Sequence, residues 1–119
     1  MVAVRYRMEI PMRKYVALIH RGPQWLWGRS VYEQGQPIEE HLQAMREHFD
    51  SGVLLLGGPF DEDGGIALLE VPDEQTAHDV MQADPAVVAG VITYEMRSLR
   101  PSASENTWSG ARKMSHLLQ

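Results

Sequence analysis

Residues 37–71, PIEEHLQAMREHFDSGVLLLGGPFDEDGGIALLEV, decide the fold, because one helical and two strand-like patterns follow each other across two clear breaks. Pro37 suits the first position of a helix and Glu39 and Glu40 favour its positive end. Ile38, Leu42, Met45 and Phe49 then recur at near-helical spacing until Ser51-Gly52 ends the run. Val53 to Leu56 reads as an apolar strand interrupted by Gly57-Gly58-Pro59. Asp61 to Gly65 is a polar turn, and Ile66 to Val71 is a further strand that pairs back as a hairpin.

On the N-terminal side, Lys14 to His20 is a short apolar run without alternation, the pattern of a strand covered on both faces. Residues 21–36 carry Gly22, Pro23, Gly28 and Gly35 around Trp25, Trp27 and Tyr32, too punctuated for a helix, and read as an aromatic-rich loop. On the C-terminal side, Asp73 suits the N-cap of a helix that buries Ala77, Val80 and Met81. Asp84-Pro85 breaks that helix and starts a short one closed by Gly90, and Ile92 to Leu99 is the last strand. The order β-α-β-β-α-β predicts an α+β, ferredoxin-like sandwich with two helices on one face of an antiparallel sheet. The strands look apolar on both faces, and two helices cover only one, so the other is expected to pack against a second copy in a homodimer or a higher assembly.

The chain has 119 residues, enough for one domain with a modest core. The expected division is an N-terminal extension over 1–13, the domain over 14–100 and a C-terminal tail over 101–119, where Trp108, Leu117 and Leu118 are the apolar anchors. Asp and Glu number 16 against 11 Lys and Arg, with no basic stripe, which argues against nucleic acid and anionic membranes as partners. Without cysteine there is neither a disulfide framework nor a thiolate site. Apolar runs are too short to span a bilayer, and Arg5, Arg7 and Glu9 lie where a signal peptide needs its apolar core, so a cytoplasmic protein is expected.

Two polar residues stand on surfaces otherwise patterned for burial. Asp84 follows Met81 by three residues and Val80 by four, so on a helix continued to that point its carboxylate would share the apolar stripe and need a partner. His41 lies three residues after Ile38 and four before Met45, at the edge of the first helix's buried face. A free imidazole titrates at about 6.5, which suits general acid or base work, and a carboxylate neighbour would fix its tautomer. The plainer readings are that Asp84 only caps the helix beginning at Pro85 and that His41 is an edge histidine. His41 and His48 are about 10.5 Å apart along a helix axis, and His20, His78 and His116 show no ligand spacing, so no metal is expected. The glycines form neither phosphate-loop pattern, and no cofactor is expected. Trp25 and Trp27, two apart in an extended loop, turn their indoles to one side, either as a plug or as a wall over the cavity.

The ordered series H-L-x(2)-M-R-x(4)-S-G-V-L-L-L-G-G-P-F from His41, then D-E-Q-T-A-H-D-V-M-Q-A-D-P-A-V-V-A-G-V from Asp73, resembles the YCII-related (YciI-like) family. That resemblance implies a dimeric α+β barrel and an active-site pair formed by the histidine early in the first helix and the aspartate of the D-P corner, here His41 and Asp84. It further implies a small enzyme without a cofactor, of lyase, isomerase or hydrolase type, acting on a small carbonyl or enol compound or a muconate-like organic acid. Many relatives carry an arginine three residues before the histidine, where this chain has Ile38, leaving Arg21 and Arg29 as the candidate cations. Trp25, Trp27, Gly58 and Pro59 complete the candidate substrate-binding set. The Gly57-Gly58-Pro59-Phe60 step also resembles a D-G-P-F branch associated with sigma-factor regulation, lacking its aspartate. A binding or regulatory module without catalysis is therefore the alternative.

Overall fold

A computed structural model describes residues 10–103. The tail residues Trp108, Leu117 and Leu118 lie outside the described residues. The elements are β1 (Arg13–Arg21), a 3-10 turn (Val31–Glu33), α1 (Gln36–Asp50), β2 (Leu54–Pro59), β3 (Gly65–Val71), α2 (Glu74–Gln82), α3 (Pro85–Val88) and β4 (Ile92–Leu99). The strands form one antiparallel sheet in the order β2-β3-β1-β4. With the helices inserted, this is the α+β ferredoxin-like arrangement expected from the pattern.

Alternation along the strands sorts side chains between the faces. Tyr15 and Ala17 on β1, Ala67, Leu69 and Val71 on β3, and Leu54 on β2 are buried together against Ala77 and Met81 of α2. A second cluster, Ile38, Ala86, Val91 and Ile92, fills the space between the start of α1, α3 and β4, with Trp25 and Val31 packed on it. Ile19 touches both clusters and joins them.

No helix among the described residues covers the opposite face. Val16 faces Leu68 and Leu18 faces Ile66 across β1 and β3, and Leu56 lies opposite Leu68 on the other side. Charged residues frame this apolar patch: Lys14 pairs with Glu70 at 2.8 Å, and Glu95 meets His20 and Arg97, each at 3.0 Å.

Two local expectations need correction. Gly57-Gly58-Pro59 does not interrupt β2, since all three residues pair with β3 after a register shift between Leu54 and Leu56. β2 is an edge strand among the described residues, so the missing N–H of Pro59 costs no ladder bond. The apolar stripe of α1 is also narrower than its spacing suggested: Ile38 is buried and Met45 half-buried, but Leu42 and Phe49 are largely exposed. The other boundaries follow the sequence reading to within a residue or so, with Pro37 one place inside the start of α1.

Leu69 is fully buried at the middle of the core. Leu69→Ala is expected to lower unfolding stability by about 2–5 kcal/mol, measured by urea denaturation.

Asp73 caps α2 by accepting from the Thr76 hydroxyl at 2.6 Å and the Thr76 amide at 2.8 Å, and these bonds hold its carboxyl below the usual range. A depressed folded value means that the contribution to stability is complete above about pH 4 and declines as pH falls through the folded value. Asp73→Asn should keep the cap at neutral pH and remove this share of the acid sensitivity, so the gap between wild type and variant in thermal midpoint should shrink or reverse on acidification.

Candidate functional site

His41 and Asp84 are 43 residues apart in sequence and meet at 2.8 Å, Nδ1 to Oδ1. The meeting depends on how the chain turns after α2. That helix ends at Gln82, Ala83 is its C-cap, and Asp84 adopts an extended conformation (φ −64°, ψ 131°) before the proline. The helix does not continue to Asp84, so the residue is not part of the α2 stripe; it is buried as the N-cap of α3. Its Oδ2 accepts from the amides of Ala86 at 3.0 Å and Val87 at 3.3 Å. One carboxylate thus makes both contacts, capping α3 with one oxygen and meeting the His41 ring with the other.

The environment makes the pair strong. Asp84 is only 2 % exposed as a residue, and the His41 side chain 13 %. Every hydrogen bond to the carboxylate comes from a donor fixed by secondary structure, as a buried charged group requires. A carboxylate accepts, so Nδ1 carries the hydrogen and the lone pair of the neutral ring lies on Nε2. Nε2 has no hydrogen-bond partner among the described residues, and His41 lines a cavity of about 390 Å³. Asp84 stands behind His41 and is not part of the wall.

Most of the wall is apolar: Ile19, Trp25, Ile38, Met45, Leu54 and Phe60 belong to it. Gly58 and Pro59 line it from the end of β2, and Arg21 and Arg29 supply the cationic side. The acidic turn Asp61 to Asp63 also lines it, beside Arg21. Trp27 is not a wall residue; it is 74 % exposed and lies over Arg21, 4.8 Å from guanidinium carbon to ring centroid. Trp25 stands 5.3 Å from the same guanidinium, so the two indoles do turn to one side and Arg21 is what they share. Arg21 also pairs with Asp63 through Nε at 3.1 Å. Ile38 is buried in the second core cluster and contributes packing and cavity wall.

The residue missed by the sequence reading is Gln34. It is 3 % exposed, and its amide oxygen accepts from the Leu26 amide at 2.6 Å while its nitrogen donates to the carbonyls of Leu26, Ser30 and Arg29 at 2.9, 3.2 and 3.3 Å. This side chain staples the aromatic loop from within. The loop is closed at its entry by Gly22, whose amide donates to Val91 O at 2.9 Å; a Cβ on Gly22 would fall 2.2 Å from the Gly90 oxygen. At its exit Glu33 accepts from the Ser30 amide at 3.3 Å; the Ser30 hydroxyl first, and that amide second, hold the Glu33 carboxyl below its ordinary value. A glutamine in a polar loop gave no signal of burial; only the need to satisfy the carbonyls of so long a loop hinted at an internal donor.

No curated protein matches the chain. The family model of the YCII-related domain matches residues 13–100. That span runs from the first residue of β1 to just past β4, and so contains the sheet, the helices and both members of the His41–Asp84 pair. The chain belongs to the YCII-related family.

Proposed function

We propose that this protein is a small enzyme in which His41 moves a proton to or from a carbonyl or enol substrate, with Asp84 setting the tautomer and orientation of the ring. The observation that carries the reading is the 2.8 Å contact between His41 Nδ1 and a buried carboxylate, at the wall of a cavity large enough for a small organic molecule. An orienting acid behind a base that faces an apolar cavity is the arrangement general acid–base chemistry needs. Among small carbonyl and enol compounds, a muconate-like acid fits the family resemblance, with a lyase, isomerase or hydrolase reaction. The functional unit in this proposal is a two-fold dimer packed through the apolar sheet face. No helix among the described residues is long and apolar enough to cross a membrane.

His41→Ala is expected to slow the chemical step by about 10²- to 10⁴-fold with the fold intact, measured by single-turnover kinetics on an active substrate. Asp84→Asn offers the sharper test. An asparagine can still cap α3 with its oxygen, but it then turns an N–H₂ toward Nδ1, which must accept. The hydrogen moves to Nε2 and the ring loses its lone pair on the cavity side. Nitrogen NMR of the ring should show this exchange of tautomers, and activity should fall at least about 10²-fold. A fully active Asp84→Asn protein with an unchanged tautomer would overturn the assigned role.

Light scattering should give twice the protomer mass. Leu68→Lys, which places a charge at the centre of the open sheet face, should yield a folded monomer; a wild-type monomer would refute the dimer.

A further inference from the structure

We propose that Arg21 is the receptor for a ligand carboxylate in the His41 cavity, and that Asp63 occupies it until the ligand takes its place. This deepens the proton-transfer reading by naming the residue that receives the substrate's charge and the one that competes for it, and rests on that reading for the chemistry alone.

Arg21 is the last residue of β1, two positions beyond Ile19 and four beyond Ala17, so alternation directs it to the sheet face that bears the helices and His41. Among the described residues it is one of two Lys or Arg residues lining the cavity. Indoles at 4.8 and 5.3 Å restrain the guanidinium, so less side-chain freedom is lost when it binds. Arg29, the other cation, has no aromatic or ion-pair partner among the described residues to orient it.

The present occupant of Arg21 is weakly held. The Asp63 side chain is 63 % exposed on the β2–β3 turn and is paired through Nε at 3.1 Å, whereas a guanidinium offers five donors. Exposed pairs of this kind change an equilibrium by no more than about fivefold. A ligand carboxylate held against apolar walls can use the guanidinium fork in two parallel bonds, and the lower dielectric strengthens them. Asp61 and Glu62 raise the cost of bringing an anion to the rim, and the same repulsion drives the acidic turn away from Arg21 once the anion is bound. Asp63 is therefore a competitor, and its removal should tighten binding of an acid.

The test uses the full chain and two isosteric probes, trans-cinnamate and its neutral amide trans-cinnamamide, titrated to millimolar concentration while indole N–H resonances are followed by NMR. The acid is expected to bind at least about tenfold more tightly than the amide. Arg21→Gln should erase that preference. Asp63→Asn, a change on an exposed turn that leaves the fold unthreatened, should tighten the acid about two- to fivefold and leave the amide unaffected. Equal affinities in the wild type, absence of binding by the acid, a preference surviving Arg21→Gln, or an Asp63→Asn protein that binds the acid no more tightly would each overturn the assignment. Binding preference needs no turnover, so these outcomes judge Arg21 alone, whereas unaltered turnover in His41→Ala would sink only the proton-transfer reading.

Discussion

The carboxylate of Asp84 is the constraint around which the site is built. A buried anion is costly unless its lone pairs are matched, and here the matching is split: one oxygen is held by the first amides of α3, the other by the imidazole from α1. Each partner fixes the other through the charge between them. The turn into α3 positions the acid, the acid positions the ring through Nδ1, and Nε2 is left without a hydrogen-bond partner among the described residues. Helix packing alone would set His41 to within a rotamer; the short, charge-assisted bond selects one rotamer and one tautomer.

The second organising element is the stapled loop. Residues between β1 and α1 would be too long and polar to hold an aromatic wall in place, but Gln34 satisfies three carbonyls and one amide from inside. Gly22 lets the loop begin pressed against the turn before β4. Trp25 can then pack on the Ile38–Ile92 cluster and still form part of the cavity. His41 and Asp84 are held by helices, and the aromatic wall by a loop whose polar groups are internally bonded, so the cavity is fixed from both sides.

How much of this was legible in the chain depends on the range of the physics involved. Strand and helix positions follow from periodicity and from Pro, Gly and Asp at element ends, which act over a few residues, so β1, α1, β3 and α2 lie close to where the pattern puts them. Asp84 and His41 are legible as polar residues out of place, although α2 ends at Gln82, short of a helix that would carry Asp84 on its stripe. Gly57-Gly58-Pro59 reads locally as a breaker; pairing with β3 and an edge position override that preference, and neither is a local property. Gln34 was illegible because its burial is decided by carbonyls that only the folded loop brings together.

The irregular course of β2 bears on the behaviour of the molecule at high concentration. An edge strand with Leu55 and Leu56 exposed would ordinarily offer a template on which further strands, including those of unfolded neighbours, could grow. The register shift between Leu54 and Leu56 breaks the row of evenly spaced backbone groups, and Pro59 removes a donor from its end. At the far edge among the described residues, β4 alternates exposed Thr93, Glu95 and Arg97, so a strand laid alongside would have to accommodate the charges of Glu95 and Arg97. Both margins of the described sheet are therefore poor templates for in-plane extension toward fibrils.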